Sequence, residues 1–279
     1  MKAFSAAMGP RLFLDQGSVL DIGSCLVGEV DIAPGRAIPD DGDPRIDHSL
    51  EGFLFTCGPD HIRHPEPIAG RRDGKAYPLH GSFSSHPAEV LFWDVQEGSA
   101  ECRARVAVNL ADGGTALLER YWRIDGETGE TCLTDRVSNT GTKAFPAVQM
   151  YHMNIGAWLF DGDVRLSGEM LENGSLPWNF GEEPGGVFCV LAARRDADWA
   201  EIALGPIAAI GAATLKVRFR TDTLPWLQVW RNQQAPAHVL GIEPVSHRWV
   251  SRKELAENGE LTDLQPGQSV DYALRFSFA

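Results

Sequence analysis

The sequence predicts an all-β protein, a large antiparallel β-sandwich, and three observations lead there. Apolar and polar residues alternate along several segments, turn residues punctuate the chain at short intervals, and amphipathic helices of three or more turns are missing. The 29 glycines and 17 prolines are spread along the whole length rather than gathered into a linker, so they divide it into strand-sized pieces. Without strand–helix alternation a βαβ architecture is disfavoured.

Residues 100–110 give the clearest strand. Cys102, Ala104, Val106, Val108 and Leu110 fall on one face, while Glu101, Arg103, Arg105 and Asn109 fall on the other. Asp112-Gly113-Gly114 turns the chain into residues 115–124, which makes a hairpin. A second turn at 125–129 leads to a strand over 131–138, and Asn139-Thr140-Gly141 turns again, extending the hairpin into a meander. Over 214–220, Leu215, Val217 and Phe219 alternate with Lys216, Arg218 and Arg220, the pattern of a half-buried strand. One short helix is predicted: Ser251 with Glu254 three residues on resembles a capping box, and Asn258-Gly259 ends it. After the turn at Pro266-Gly267, residues 269–278 place Val270, Tyr272, Leu274, Phe276 and Phe278 on one face. No shift of composition divides the chain, so residues 1–279 are expected to form one domain.

Composition narrows the function classes. Thirty-eight acidic against 25 basic side chains leave a formal charge of -13, which repels nucleic acid and anionic lipid. No apolar run approaches the roughly 20 residues of a membrane helix, and the start of the chain has one lysine and too short an apolar stretch for a signal peptide. A soluble, cytoplasmic protein is expected. Five scattered cysteines, Cys25, Cys57, Cys102, Cys132 and Cys189, lack C-x-x-C pairing and read as reduced structural thiols. Glycine-rich dinucleotide and phosphate loops, the G-x-S-x-G elbow and H-E-x-x-H are all missing, so phosphoanhydride, nicotinamide and serine-hydrolase chemistry lose support.

Three segments embed polar residues in apolar or aromatic surroundings, where desolvation shifts a pKa towards a working range. In Tyr77-Pro78-Leu79-His80-Gly81 the histidine either projects from a loop into a cleft or is structural. In residues 148–154, Met150, His152 and Asn154 share a strand face, which implies a polar cleft or a core histidine bonded to a neighbouring strand. The third joins Trp226-Leu227-Gln228-Val229-Trp230 to Val239-Leu240-Gly241-Ile242-Glu243-Pro244. Glu243 before a proline is expected at a sheet margin, either as a base near Trp226 or Trp230 or as a strand-end glutamate paired with Arg248 or Arg231. Carboxylates beside tryptophans also suit sugars, whose C–H faces lie on indoles. Elsewhere, His61 and His64 with Asp60 and His80 offer a possible metal-ligand set, and Asp40, Asp41, Asp43 and Asp47 form an acidic loop without calcium-loop spacing.

Taken together and in order, these segments resemble the aldose 1-epimerase (galactose mutarotase) superfamily, in its branch of aldose 1-epimerase-like proteins. The resemblance rests on Asp21-Ile22-Gly23, Leu79-His80-Gly81, the strand histidine His152, the strand 227–230, Glu243 and the Pro266-Gly267 turn, and it spans the whole chain. It implies a supersandwich fold and cofactor-free interconversion of sugar anomers. By motif position it implies His152 as general acid, Glu243 as general base and His80 as an aid to the ring oxygen, with acid and base on opposite sides of the sugar. Where the family has Asn-His-Thr-Tyr-Phe-like sequence this chain has Tyr151-His152-Met153-Asn154. Arg71 and Arg72 are the nearest positions to the family's substrate-binding arginine, and Asp161, Asp163 or Asn179 beside Trp178 to its aspartate. Asn154, Trp178, Gln228 and Trp230 complete the expected sugar contacts. Two other readings stand beside this one: a non-catalytic carbohydrate-binding protein on the same fold, and a metal-dependent sugar isomerase or lyase using His61, His64 and His80. Despite the net charge, Arg71, Arg72, Arg231 and Arg248 leave an anionic sugar open as the substrate.

Overall fold

The computed structural model describes residues 1–35, 52–235 and 237–279, so the acidic loop from Asp40 to Asp47 lies outside the described residues. Two nine-stranded antiparallel sheets form the sandwich. The front sheet runs Lys2–Phe4, Arg11–Asp15, Asp21–Val27, Leu54–Cys57, Met150–Gly156, Val239–Val245, Trp226–Asn232 and Gly185–Leu191, with Val30–Asp31 paired to Asp21–Val27. The back sheet runs Ser175–Pro177, Arg165–Ser167, Trp199–Ile207, Ala213–Arg220, Ser269–Phe278, Thr131–Asn139, Thr115–Asp125, Ser99–Asn109 and Glu89–Val95.

Period-2 patterning set most of the back sheet. Cys102, Ala104, Val106 and Val108 are buried while Arg103, Arg105, Ala107 and Asn109 are exposed, because one face packs on the front sheet and the other meets water. The front sheet's central strands differ. Every residue of Met150–Gly156 and of Val239–Val245 is buried, since loops cover the face turned away from the core. Phe55, Cys57, Ile62, Leu79, Val148, Met150 and Val245 form a second apolar cluster under that cover. The helix Arg252–Glu257 is capped by Ser251, whose Oγ accepts from Glu254 N at 3.1 Å, but the Glu254 carboxylate accepts from Arg248 Nη1 at 3.1 Å. Only the first half of the predicted capping box forms.

A buried polar network ties the sheets together. Arg120 Nε and Nη2 donate to the two oxygens of Asp135 at 2.9 and 2.7 Å, and Nη1 donates to Asp21 Oδ1 at 2.8 Å and Val19 O at 2.7 Å. Nη2 also reaches Thr56 Oγ1 at 2.6 Å, and Tyr151 Oη donates to Asp135 Oδ2 at 2.8 Å. Asp21 of the early Asp-Ile-Gly stretch is therefore a structural carboxylate, holding Thr56 through Thr56 N at 2.9 Å and Oγ1 at 2.6 Å. Thr56 and Tyr151 lie opposite each other in the front sheet. The network fixes the two strands that carry Phe55 and His152 on their outer face.

Candidate active site

The outer face of the front sheet's centre is built by register. His152 lies opposite Phe55 on one side, and Glu243 lies opposite Gln228. Trp230 lies opposite Gly241, which in turn lies opposite Asn154. Pairing between Met150–Gly156 and Val239–Val245 holds at Met150–Val245 and Met153–Ile242 but lapses at Tyr151–His152, opposite Glu243–Pro244. Pro244 has no N–H to donate, which opens the ladder where the two functional side chains meet. Gly241 leaves room for them: a Cβ there would stand 2.7 Å from Glu243 Oε1 and 3.1 Å from His152 Cε1.

The result is a cavity of about 220 Å³ with His152, Glu243, His80, Gln228 and Trp230 in its wall. His152 stacks on Phe55 at 4.5 Å between ring centroids and meets the edges of His80 at 5.4 Å and Trp230 at 5.6 Å. His152 Nε2 is 3.1 Å from Glu243 Oε1, a close contact but not aligned as a hydrogen bond. Gln228 Nε2 donates to the other oxygen, Oε2, at 2.5 Å. Glu243 Oε1, His152 Nδ1 and Gln228 Oε1 are buried without a hydrogen-bond partner among the described residues. Buried polar atoms without partners are costly, and this wall holds hydrogen-bonding capacity that the protein itself does not use.

Burial pushes the Glu243 carboxyl up to about 8, against the Gln228 hydrogen bond and the positive charge of Arg63. Burial, and then the neighbouring His80, hold the His152 imidazole well below 6.5. At neutral pH the pair thus carries one titratable proton, seated on Glu243, and is uncharged. His80 is pushed down to about 4, chiefly by burial. Its Nδ1 faces Ile62 O at 3.2 Å and must donate there, which leaves Nε2 an acceptor. The His-Gly pair of this loop has a steric cause. His80 and Gly81 have φ of 59° and 85°, and a Cβ on Gly81 would lie 2.0 Å from His61 O.

The predicted residues divide. His152, Glu243, His80, Gln228 and Trp230 converge, whereas Arg71, Arg72 and Trp178 do not reach the cavity. Arg71 is bound to Asp73 in an exposed turn with Arg72 beside it, while Trp178 packs on Phe160 and donates Nε1 to Asp161 O at 2.9 Å. Asp161, Asp163 and Asn179 are exposed on the surface. Asn154 is buried outside the cavity lining; its Nδ2 donates to Gly52 O at 3.3 Å, and its side chain lies beside the His152 ring, whose basicity it supports against burial. Glu243 is not at a sheet margin but on a central strand, because the chain continues pairing through Pro244 to Val245. Its pairing with Arg248 or Arg231 does not form: Arg248 binds Glu260 and Glu254, and Arg231 binds Gln233 and Glu183 O. His152 and Glu243 stand side by side rather than across a gap, since adjacent strands carry them.

The sequence did not mark Phe55, Val187 or Trp249 for the wall; Leu79 was noted only in the Leu79-His80-Gly81 motif, His64 only as a metal candidate, and Arg63 only by lying between His61 and His64. Trp249 remains 42% exposed at the rim, a placement that only the structure reveals. His61 is turned away, donating Nε2 to His64 O at 2.6 Å and stacking on Tyr77. Asp60 is consumed by Ser82 N, Ser82 Oγ and Ala111 N. Among the described residues no three His, Cys, Asp or Glu side chains gather as a metal-binding group.

Solved structures share this architecture. The Slr1438 protein of Synechocystis superposes with a TM-score of 0.73 at 16% identity, covering 100% of this chain and 95% of that one. A galactose mutarotase related enzyme from Lactobacillus acidophilus gives 0.69 at 11% identity, covering 100% and 97%. A galactose mutarotase-like protein from Lactobacillus casei gives 0.67 at 12%, covering 100% of both chains. At such identities the likeness establishes the fold, a galactose mutarotase-like β-sandwich. No curated protein matches the chain. Residues 31–173 and 186–278 match the family model described as a domain of unknown function, DUF4432, and with most of its length so matched the chain belongs to that family.

Proposed function

We propose that this protein is an aldose 1-epimerase, interconverting the anomers of a free or modified sugar by ring opening and closure. The observation that carries the reading is the buried His152–Glu243 contact of 3.1 Å in the cavity wall. Opening an aldose ring moves one proton from the anomeric hydroxyl to the ring oxygen, and both oxygens are bonded to the same carbon. Acid and base must therefore sit close together, as His152 and Glu243 do.

In the ionised form of the pair, with the proton on His152, Glu243 takes the anomeric O–H proton. The C1–O5 bond breaks as C1=O forms, and O5 takes the proton from His152. Glu243 is left protonated and His152 neutral, the distribution burial favours. Rotation about C1–C2 turns the other face of the aldehyde to O5, and the reverse transfers close the ring. His80, neutral with Nε2 open, accepts from a sugar hydroxyl rather than protonating the ring oxygen. Trp230 offers an aromatic face to the sugar's C–H groups. The scheme needs neither a metal nor a redox cofactor. NMR exchange between anomers across a panel of aldoses tests it: catalysed exchange in the wild type and its loss in Glu243→Gln and His152→Asn are expected, and unchanged rates in both variants would refute it.

A further inference from the structure

Two buried arginines, Arg63 and Arg231, have no ion pair among the described residues, and of these Arg63 is the one in the cavity, Arg231 being tied to Gln233 and Glu183 O elsewhere. Arg63 is 8% exposed and lines the same cavity as His152 and Glu243. Arg120, also buried, has two carboxylate partners, and the more accessible Arg136 and Arg248 are ion-paired as well. Arg63 has no ion pair among the described residues. Its Nη2 donates to His247 O at 2.9 Å, and its Nε is buried without an acceptor. The acids nearest to it, Glu243 in the cavity wall and Glu66, favour its charge through space without forming an ion pair, and burial pushes Glu243 towards its protonated form. A guanidinium withdrawn from water without a paired anion is unfavourable, and its remaining N–H donors suit an oxyanion.

The group is also held in place. Arg63 O accepts from His80 N at 2.8 Å, so the backbone that carries the arginine is fixed to the loop that carries His80. At the other end the guanidinium is tied to His247 O, two residues before Trp249 at the rim. Little ordering is left for a ligand to impose.

We infer that the substrate of this cavity is an aldose bearing an anionic substituent, a carboxylate or a phosphate ester, and that Arg63 receives that group while His152 and Glu243 act on the anomeric centre. This rests on the epimerase reading of the same cavity and adds the chemical class of the sugar. The two oxyanions present the same acceptors, and the choice between them is one arm of the experiment.

Anomer exchange is measured by NMR for galacturonate against galactose, glucuronate against glucose, and glucose 6-phosphate against glucose. Binding of each is followed by calorimetry, for the wild type, Arg63→Gln and Arg63→Lys. At least one acidic sugar is expected to exceed its neutral partner in kcat/KM by about tenfold or more. That preference should collapse in Arg63→Gln and be partly kept in Arg63→Lys, which also shows that the variants fold. The uronates and the phosphate ester separate the two oxyanions. Equal kcat/KM for acidic and neutral sugars overturns the inference while leaving epimerase activity standing. Arg63-dependent binding of an acidic sugar without exchange of any sugar supports the anion site and removes the epimerase reading.

Discussion

Two buried polar clusters lie back to back on the same two strands. Thr56 and Tyr151 turn inward to Arg120, Asp21 and Asp135, whereas Phe55 and His152, one residue away on each strand, turn outward to Glu243 and the cavity. In the inner cluster the guanidinium finds five acceptor contacts between 2.6 and 2.9 Å. In the outer cluster Glu243 Oε1, His152 Nδ1, Gln228 Oε1 and Arg63 Nε have none. Both are buried, so burial does not tell these two clusters apart; satisfaction does. A closed network holds the sandwich together, and the open one facing a cavity is where we propose that a ligand binds.

The sharpest way to break this contrast is to remove the outer pair. Glu243→Gln or His152→Asn should lower catalysed anomer exchange by about 10³-fold with the thermal melt kept, whereas a retained rate would dissolve the distinction. On the inner side, Arg120→Met leaves Asp21 and Asp135 buried without their cation and should cost about 3–5 kcal/mol in urea denaturation. A loss well below that would mean the inner network is not the tie it resembles. Gly241→Ala is subtler: its Cβ, 2.7 Å from Glu243 Oε1, should displace the carboxylate and slow exchange by about tenfold or more while the fold persists. Circular dichroism beside the rate assay separates displacement from unfolding.

The pH dependence follows from the carboxyl pushed up to about 8 from 4.5. The folded state keeps this proton longer than the unfolded chain, so the stability it contributes is full below about pH 4.5 and is lost as pH rises through about 8. Glu243→Gln cannot ionise, so its melting temperature relative to wild type should rise between about pH 5 and about pH 9. A constant difference would place the carboxyl in contact with water. The smallest effect is expected at Arg71→Ala, where an exposed pair with Asp73 is lost and exchange should change by less than about twofold.

Much of the fold was legible because its signal is local. The predicted 269–278 strand is Ser269–Phe278, and 131–138 and 214–220 fall within one residue of Thr131–Asn139 and Ala213–Arg220. His152 was legible for the same reason: a polar residue on a strand face that must be buried stands out in a period-2 pattern. Glu243 was noticed as a residue but misplaced in the sheet, because a proline reads as a strand end when a neighbouring strand's register is unknown. Arg63 lay in a segment weighed for metal, and Arg71 and Arg72 were preferred on chain distance to His80. Loop folding decided otherwise, carrying Arg63 beneath His80 and leaving Arg71 in an exposed turn.

By itself the sequence determined the all-β class, the strand periods, the helix cap and the face on which His152 lies, since each depends on residues a few positions apart. The tertiary structure alone decided that Glu243 meets His152, that Arg63 enters the cavity, and that one guanidinium is neutralised while the other is not. Those outcomes depend on which distant strands pair and how far water is excluded from each charge, and spacing along the chain encodes neither.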